Sequence, residues 1–162
     1  MKNLVDSRLA MVYLKPGEFF VSRTPVLVST VLGSCVSVTL FSPAARMGAM
    51  CHALLPSGTD HAPLRYVDRA VDFIYVKLAA ISGQSGGFEA KLFGGANVLV
   101  SGGSRGTSAS VGSQNVVAAM GAIEKLGLKL ISFDTGGEQG RKIFFYSATG
   151  EVYLRPVQKR AL

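Results

Sequence analysis

Apolar and polar residues alternate through the first third of the chain. The stretches FFVS (19–22) and VLVST (26–30) are predicted to be strands on either side of the turn RTP. A third strand is predicted in CVSVTLF (35–41). The turn SPAAR (42–46) then leads to a fourth strand in MGAMCHALL (47–55), so these last two strands are expected to form a hairpin.

The spacing of apolar residues changes from two to three or four after Pro63. This spacing predicts an amphipathic helix that ends at Gly83. A second helix is predicted in SQNVVAAMGAIEKLG, from an N-cap at Ser113 to a stop at Gly127. The apolar residues of the first helix are Leu64, Val67, Val71, Ile74, Leu78 and Ile81.

Strands are predicted again around and after the second helix, and a Gly/Ser-rich segment at 101–110 is expected to be a mobile surface loop. Strands at both ends with two helices between them predict an α+β fold, with a mostly antiparallel sheet and two helices packed on it. One domain is expected to cover residues 1–162. The later strands are AKLF, LKLISF and, after the loop DTGGEQG, the hairpin RKIFFYS/EVYLRPV.

Composition indicates a folded protein of the cytoplasm. Of the 162 residues, 48% are hydrophobic and 17% are charged, which argues against intrinsic disorder. No apolar run reaches the ~20 residues that a membrane span requires. Charged residues and a proline interrupt the N-terminal stretch, which therefore lacks the apolar core of a signal peptide.

The net charge of +7 favours an acidic partner. Most basic residues stand singly, and the adjacent pairs are Arg141–Lys142 and Lys159–Arg160. The sequence has no Trp and no basic run interleaved with aromatic residues, so nucleic acid is not the expected partner. A diffuse positive surface fits an acidic protein surface.

The chain has two cysteines, Cys35 and Cys51, and the second of them precedes His52. In a hairpin that turns within 42–46, the numbers of opposed residues add up to about 87 to 89. An odd sum places Cys35 and His52 on one face of the sheet, whereas an even sum separates them. Cys51 must point to the other face and is expected to be a buried apolar residue.

The residues around Cys35 also favour a reactive thiol. Gly33 and Ser34 precede the cysteine in a sharp turn, whose backbone N–H groups could face a developing oxyanion. An imidazole near the thiol would favour formation of the thiolate. Ser29 and Thr30 are the nearby hydroxyl groups that could orient such an imidazole. Two Cys and two His at these positions do not match the spacing of a zinc site, so no metal is expected.

Several sequence blocks together resemble the chemoreceptor glutamine deamidase family, CheD. The blocks follow one another in the order found in the family, and they span residues 32–154. They are LGSCVSV, GAMCHALLP, KLFGGANVL, GSQNV, DTGGEQGRKIFF and GEVYL.

The resemblance implies a hydrolase that converts glutamine side chains of methyl-accepting chemotaxis receptors to glutamates, without metal or organic cofactor. It implies that Cys35 is the nucleophile and that His52, seventeen residues later, is the base. The family's third residue is a threonine six positions before the cysteine, which corresponds to Ser29 here. A shift of one residue in the strand would bring Thr30 into that role instead. A CheC-like phosphatase is also implied as a partner.

Two other functions are compatible with the same residues. A thiol esterase that cleaves receptor methyl esters would use the same Cys35–His52 pair. A non-catalytic module that binds a phosphatase or a receptor would not need this pair at all.

Overall fold

The computed structural model describes residues 9–98 and 109–158. Within these ranges the chain forms nine strands, two α-helices and a 3-10 turn at Pro63–Arg65. The elements are β1 (Ala10–Tyr13), β2 (Phe19–Ser22), β3 (Val26–Leu32), β4 (Val36–Ser42), β5 (Met47–Cys51), α1 (Val67–Ser82), β6 (Glu89–Gly94), α2 (Val111–Lys125), β7 (Lys129–Thr135), β8 (Arg141–Tyr146) and β9 (Val152–Pro156).

The strands form two sheets. The five-stranded sheet has the order β2-β5-β4-β6-β7, and the four-stranded sheet has the order β1-β3-β8-β9. Pairing is antiparallel except for β1 with β3 and β6 with β7. The α+β class and the mostly antiparallel pairing are therefore confirmed. The strands on either side of the RTP turn, β2 and β3, belong to different sheets.

The five-stranded sheet is the middle layer of three. Both helices pack on one of its faces, since α1 contacts β2, β4 and β5, and α2 contacts β4, β6 and β7. Its other face packs against the four-stranded sheet, where Met50 and Phe93 meet Ile143 and Phe145 in a second apolar core. Alternate side chains of β4 and β5 therefore enter two different cores.

The buried face and the end of helix α1 agree with the spacing of its apolar residues. Val71, Ile74 and Leu78 are buried against the middle sheet, and the helix ends at Gly83, whose φ of 69° is the left-handed conformation that glycine adopts readily. The predicted end of this helix is confirmed. Its beginning differs, because the 3-10 turn precedes it as a separate element.

Helix α2 begins earlier than the sequence predicts. Its N-cap is Ser110, whose side-chain oxygen accepts a hydrogen bond from the backbone N–H of Ser113 at 3.2 Å. The prediction of Ser113 as the N-cap is therefore wrong. Most of the segment predicted as a mobile loop, residues 101–108, lies outside the described residues. No helix in the described part of the chain is both long and apolar enough to cross a membrane.

The hairpin of β4 and β5 has an odd register, as one of the two predicted alternatives requires. Thr39 pairs with Met50 and Leu40 pairs with Ala49, and beyond the strands Val36 bridges to Ala53. The same register places Ser37 opposite His52. Cys35 is then a diagonal neighbour of His52.

Candidate active site

His52 lies between the two sheets. It follows β5 and shares a face with Met50, which belongs to the apolar core between the sheets. Its backbone is held by two hydrogen bonds, from its N–H to the Glu18 carbonyl at 3.2 Å and from the Gly17 N–H to its own carbonyl at 2.8 Å. The side chain is only 2% exposed.

The two cysteines occupy different environments, as the alternation of side chains predicts. Cys51 points to the helices, belongs to their apolar core and is 1% exposed. Cys35 is half-buried at the start of β4 and packs against the core between the sheets, which is the side of His52. Both thiols are free.

A hydrogen bond across the sheets fixes the His52 ring. The Thr30 hydroxyl oxygen lies 2.7 Å from His52 Nδ1, and the same hydroxyl donates to the Leu14 carbonyl at 2.6 Å. A hydroxyl group has a single proton, and a carbonyl can only accept. The Thr30 oxygen therefore accepts from Nδ1–H, and Nε2 carries the lone pair of a base.

The neighbouring hydroxyl candidate, Ser29, is placed differently. In the four-stranded sheet it stands in register between Tyr13 and Phe144, on the face that points away from the middle sheet. Thr30 stands opposite Ile143 and faces the core between the sheets. Of the two candidates, the structure brings Thr30 to the imidazole.

Burial keeps both reactive groups uncharged at neutral pH. Desolvation lowers the pKa of His52 from 6.5 to about 4, and the backbone carbonyl of Leu14 opposes this shift only in part. Desolvation also raises the pKa of the Cys35 thiol, although its own backbone N–H partly offsets the rise. A thiolate–imidazolium pair is therefore not the resting state of these two side chains.

The His52 Nε2 atom has no hydrogen-bond partner among the described residues. The hydroxyl of Ser37, which stands opposite His52 in the hairpin register, is also buried and without a partner in this part of the chain. Buried polar atoms of this kind are uncommon away from functional sites. The lone pair of Nε2 is thus not engaged in a hydrogen bond within the described part of the chain.

The turn at Gly33–Cys35 is held by a second turn that follows β6. The Gly33 carbonyl accepts from the Ala96 N–H and the Cys35 carbonyl from the Gly95 N–H, each at 2.9 Å. Gly94 makes this approach possible, because its φ is +105° and an added Cβ would lie 2.2 Å from the Cys35 carbonyl oxygen. Gly94 and Gly95 belong to the sequence block KLFGGANVL.

A third loop supports the turn after β6. Arg141 pairs with the carboxylate of Asp134 and also bonds the Gly136 carbonyl, which ties the loop DTGGEQG to β8. The Gly136 N–H donates to the Gly94 carbonyl at 2.9 Å. The loop thus stabilises the segment that holds Cys35.

Within residues 9–98 and 109–158, no group of three or more His, Cys, Asp or Glu side chains is arranged to hold a metal ion. The chemistry that the described geometry offers is that of a thiol, an imidazole with a free lone pair, and the backbone N–H groups of a tight turn. This set is suited to nucleophilic attack on a carbonyl carbon.

Comparison with known proteins gives consistent matches. The family model for CheD chemotactic sensory transduction matches residues 54–156. The probable chemoreceptor glutamine deamidase CheD 2 of Geobacter sulfurreducens is 42% identical over 152 residues, which cover 94% of this chain and 93% of the relative. The probable deamidase CheD of Maridesulfovibrio salexigens is 38% identical, with 95% and 96% coverage, and that of Pyrococcus horikoshii is 34% identical, with 87% and 89% coverage.

The different environments of the two thiols predict different reactivities. Iodoacetamide should modify Cys35 at least about tenfold faster than Cys51 near neutral pH, because thiolate fraction and exposure control the rate. Burial raises the pKa of Cys51 to about 12. Timed quenching followed by peptide mass spectrometry measures both rates. Equal rates, or faster modification of Cys51, would contradict the assignment of Cys35 as the reactive thiol.

Proposed function

The chain belongs to the CheD family, and we propose that it is a protein-glutamine glutaminase that deamidates glutamine side chains of methyl-accepting chemotaxis receptors. The observation that carries this proposal is the Thr30–His52 hydrogen bond, which leaves Nε2 as a free base on the face of the sheet where Cys35 lies. The curated relatives are named as deamidases with this substrate. The proposal includes a cytoplasmic location for the reaction.

The first half of the reaction forms a thioester. The Cys35 sulfur attacks the Cδ carbon of the glutamine side chain while His52 Nε2 takes the thiol proton. The carbonyl oxygen becomes an oxyanion, which the N–H groups of the turn at Gly33, Ser34 and Cys35 stabilise. The C–N bond then breaks, and the proton on Nε2 passes to the nitrogen, so that ammonia leaves.

The second half restores the enzyme. A water molecule gives a proton to Nε2 and attacks the thioester carbon, and the same N–H groups stabilise the second oxyanion. The C–S bond breaks and the proton returns to the Cys35 sulfur. The net change is glutamine and water to glutamate and ammonia, and it needs no cofactor.

The charge of the protein suits this substrate. A net charge of +7 favours approach to a receptor surface rich in glutamate. A CheC-like phosphatase is a further proposed partner, which rests on the family resemblance alone.

The direct test is mass spectrometry of a chemoreceptor co-expressed with this protein. The mass increase that accompanies conversion of Gln to Glu should appear with the unaltered protein and should be absent with Cys35→Ser. Cys51→Ser is the matched control and should retain the conversion. Equal conversion by Cys35→Ser would contradict the proposal. Hydrolysis of receptor methyl esters, without release of ammonia from glutamine, would identify an esterase.

The two adjacent hydroxyl residues offer a matched pair of variants. Thr30→Val should lower kcat by about 10²-fold or more, because the imidazole loses the acceptor that fixes its ring and tautomer. Ser29→Ala should change kcat by less than about twofold, because this side chain faces the other side of the sheet. Steady-state rates on a receptor fragment measure both. The opposite order would mean that Ser29 orients the ring.

The low pKa of His52 predicts that kcat/KM falls only at an unusually low pH. Protonation of Nε2 removes the base, so activity falls as pH decreases through the pKa of His52 in the folded protein. That pKa is about 4 instead of 6.5, so kcat/KM should hold down to about pH 5 and be halved near pH 4. Near-UV circular dichroism at each pH separates this loss from acid unfolding. A midpoint near 6.5 would contradict the burial argument.

A further inference from the structure

Asn115 connects the two segments that contain the reactive residues. It lies in the first turns of α2 and is fully buried. Its side-chain nitrogen donates to the Ser34 carbonyl at 2.9 Å and to the Leu54 carbonyl at 3.0 Å. The first carbonyl immediately precedes Cys35, and the second lies two residues after His52.

The two hydrogen bonds donated by the Asn115 side chain explain why an asparagine can occupy this buried position. An amide nitrogen has two protons, and here both are used on two different carbonyls. Its oxygen is buried and has no partner among the described residues. The same helix buries Ala119, Ala122 and Ile123, so a polar residue on this face is costly unless it forms such bonds.

The three carbonyls of the Gly33–Cys35 turn are all bound, but in different ways. Backbone N–H groups hold the carbonyls of Gly33 and Cys35, whereas a side chain holds the carbonyl of Ser34. Among the described residues, the backbone N–H groups of these three residues donate none of the backbone–backbone hydrogen bonds of the turns and loops. The turn thus directs its carbonyls into the protein and leaves its N–H groups free.

The orientation of the Cys35 N–H follows from the Ser34 carbonyl. The peptide bond between them is trans, so the carbonyl and the N–H point in opposite directions. With the carbonyl held by Asn115, the N–H is directed away from α2, and it belongs to the same residue as the Cys35 sulfur. An oxyanion formed by attack of that sulfur would lie within reach of the same N–H.

We propose that Asn115 is a positioning residue for the deamidation, which holds the Ser34–Cys35 peptide so that the Cys35 N–H stabilises the oxyanion. This inference rests on the proposed function. Because Asn115 also holds the Leu54 carbonyl, one side chain sets the position of the nucleophile segment relative to the histidine segment.

A positioning role for Asn115 predicts that its loss affects two reactions of the Cys35 thiol differently. Deamidation passes through an oxyanion, whereas alkylation by iodoacetamide does not. Loss of the Asn115 donors should therefore lower kcat for deamidation and leave the alkylation rate of Cys35 nearly unchanged. A general loosening of the fold would change both reactions and would also expose Cys51.

The experiment compares Asn115→Leu, which has a similar volume and no donor, with Gln114→Ala. Gln114 is the adjacent, exposed residue of α2, and its side-chain nitrogen donates to the Ala109 carbonyl at 2.7 Å. Asn115→Leu should lower kcat by about 10- to 100-fold and leave KM within about twofold of its normal value. Gln114→Ala should leave both kcat and KM nearly unchanged. Cys35 alkylation should stay within about threefold in both variants, with Cys51 protected.

Asn115→Asp is the second variant, since it keeps the size and the acceptor oxygen and removes the amide donors. A folded variant with normal kcat would overturn the proposal, as would a parallel loss of alkylation. Failure of both variants to fold would overturn it too, because the amide would then serve stability. If the unaltered protein does not deamidate, the proposed function fails, and the amide 15N resonance of Cys35 decides the positioning alone: it should shift in Asn115→Leu and not in Gln114→Ala.

Discussion

The hydrogen bond between Thr30 and His52 joins the two sheets at the point where the chemistry is proposed to occur. Thr30 belongs to the four-stranded sheet, and His52 extends from the five-stranded sheet. The bond at 2.7 Å requires the sheets to be packed in one relative position, which the apolar core around Met50 and Phe145 provides. A buried imidazole is costly without a partner, and this bond satisfies one ring nitrogen while it leaves the other available.

Burial then determines the protonation states of the site. An imidazole with a pKa of about 4 and a thiol with a raised pKa are both neutral at physiological pH, so the resting site carries no ion pair. In the proposed reaction, proton transfer therefore accompanies the attack and does not precede it. Cys51, one residue from His52, is desolvated more completely, with a pKa of about 12, and is part of the apolar helix-facing core. Cys51 and His52 are thus adjacent in the chain, but their side chains lie on opposite faces of the sheet and in different environments.

The turn that contains Cys35 depends on segments distant in sequence. Gly95 and Ala96 hold two of its carbonyls, Asn115 holds the third, and the loop tied by Arg141 supports the turn after β6. These contacts connect the block LGSCVSV to three of the other sequence blocks that resemble the CheD family. The blocks are therefore linked physically, since each contributes to the geometry around one thiol.

Strand alternation let the sequence alone place Cys35 and His52 on one face for an odd hairpin register and Cys51 on the other, and the register of β4 and β5 confirms the odd case. The apolar spacing of α1, its end at Gly83 and the family resemblance were also readable, because each depends on residues close together in the chain or on a pattern of blocks. The choice between Ser29 and Thr30 was not readable. In a strand, adjacent side chains point to opposite faces of the sheet, but only the packing of β3 against the middle sheet decides which face is the interior. For the same reason the pairing of β1, the division into two sheets and the role of Asn115 required the tertiary structure, since each is a contact between segments that local sequence does not connect.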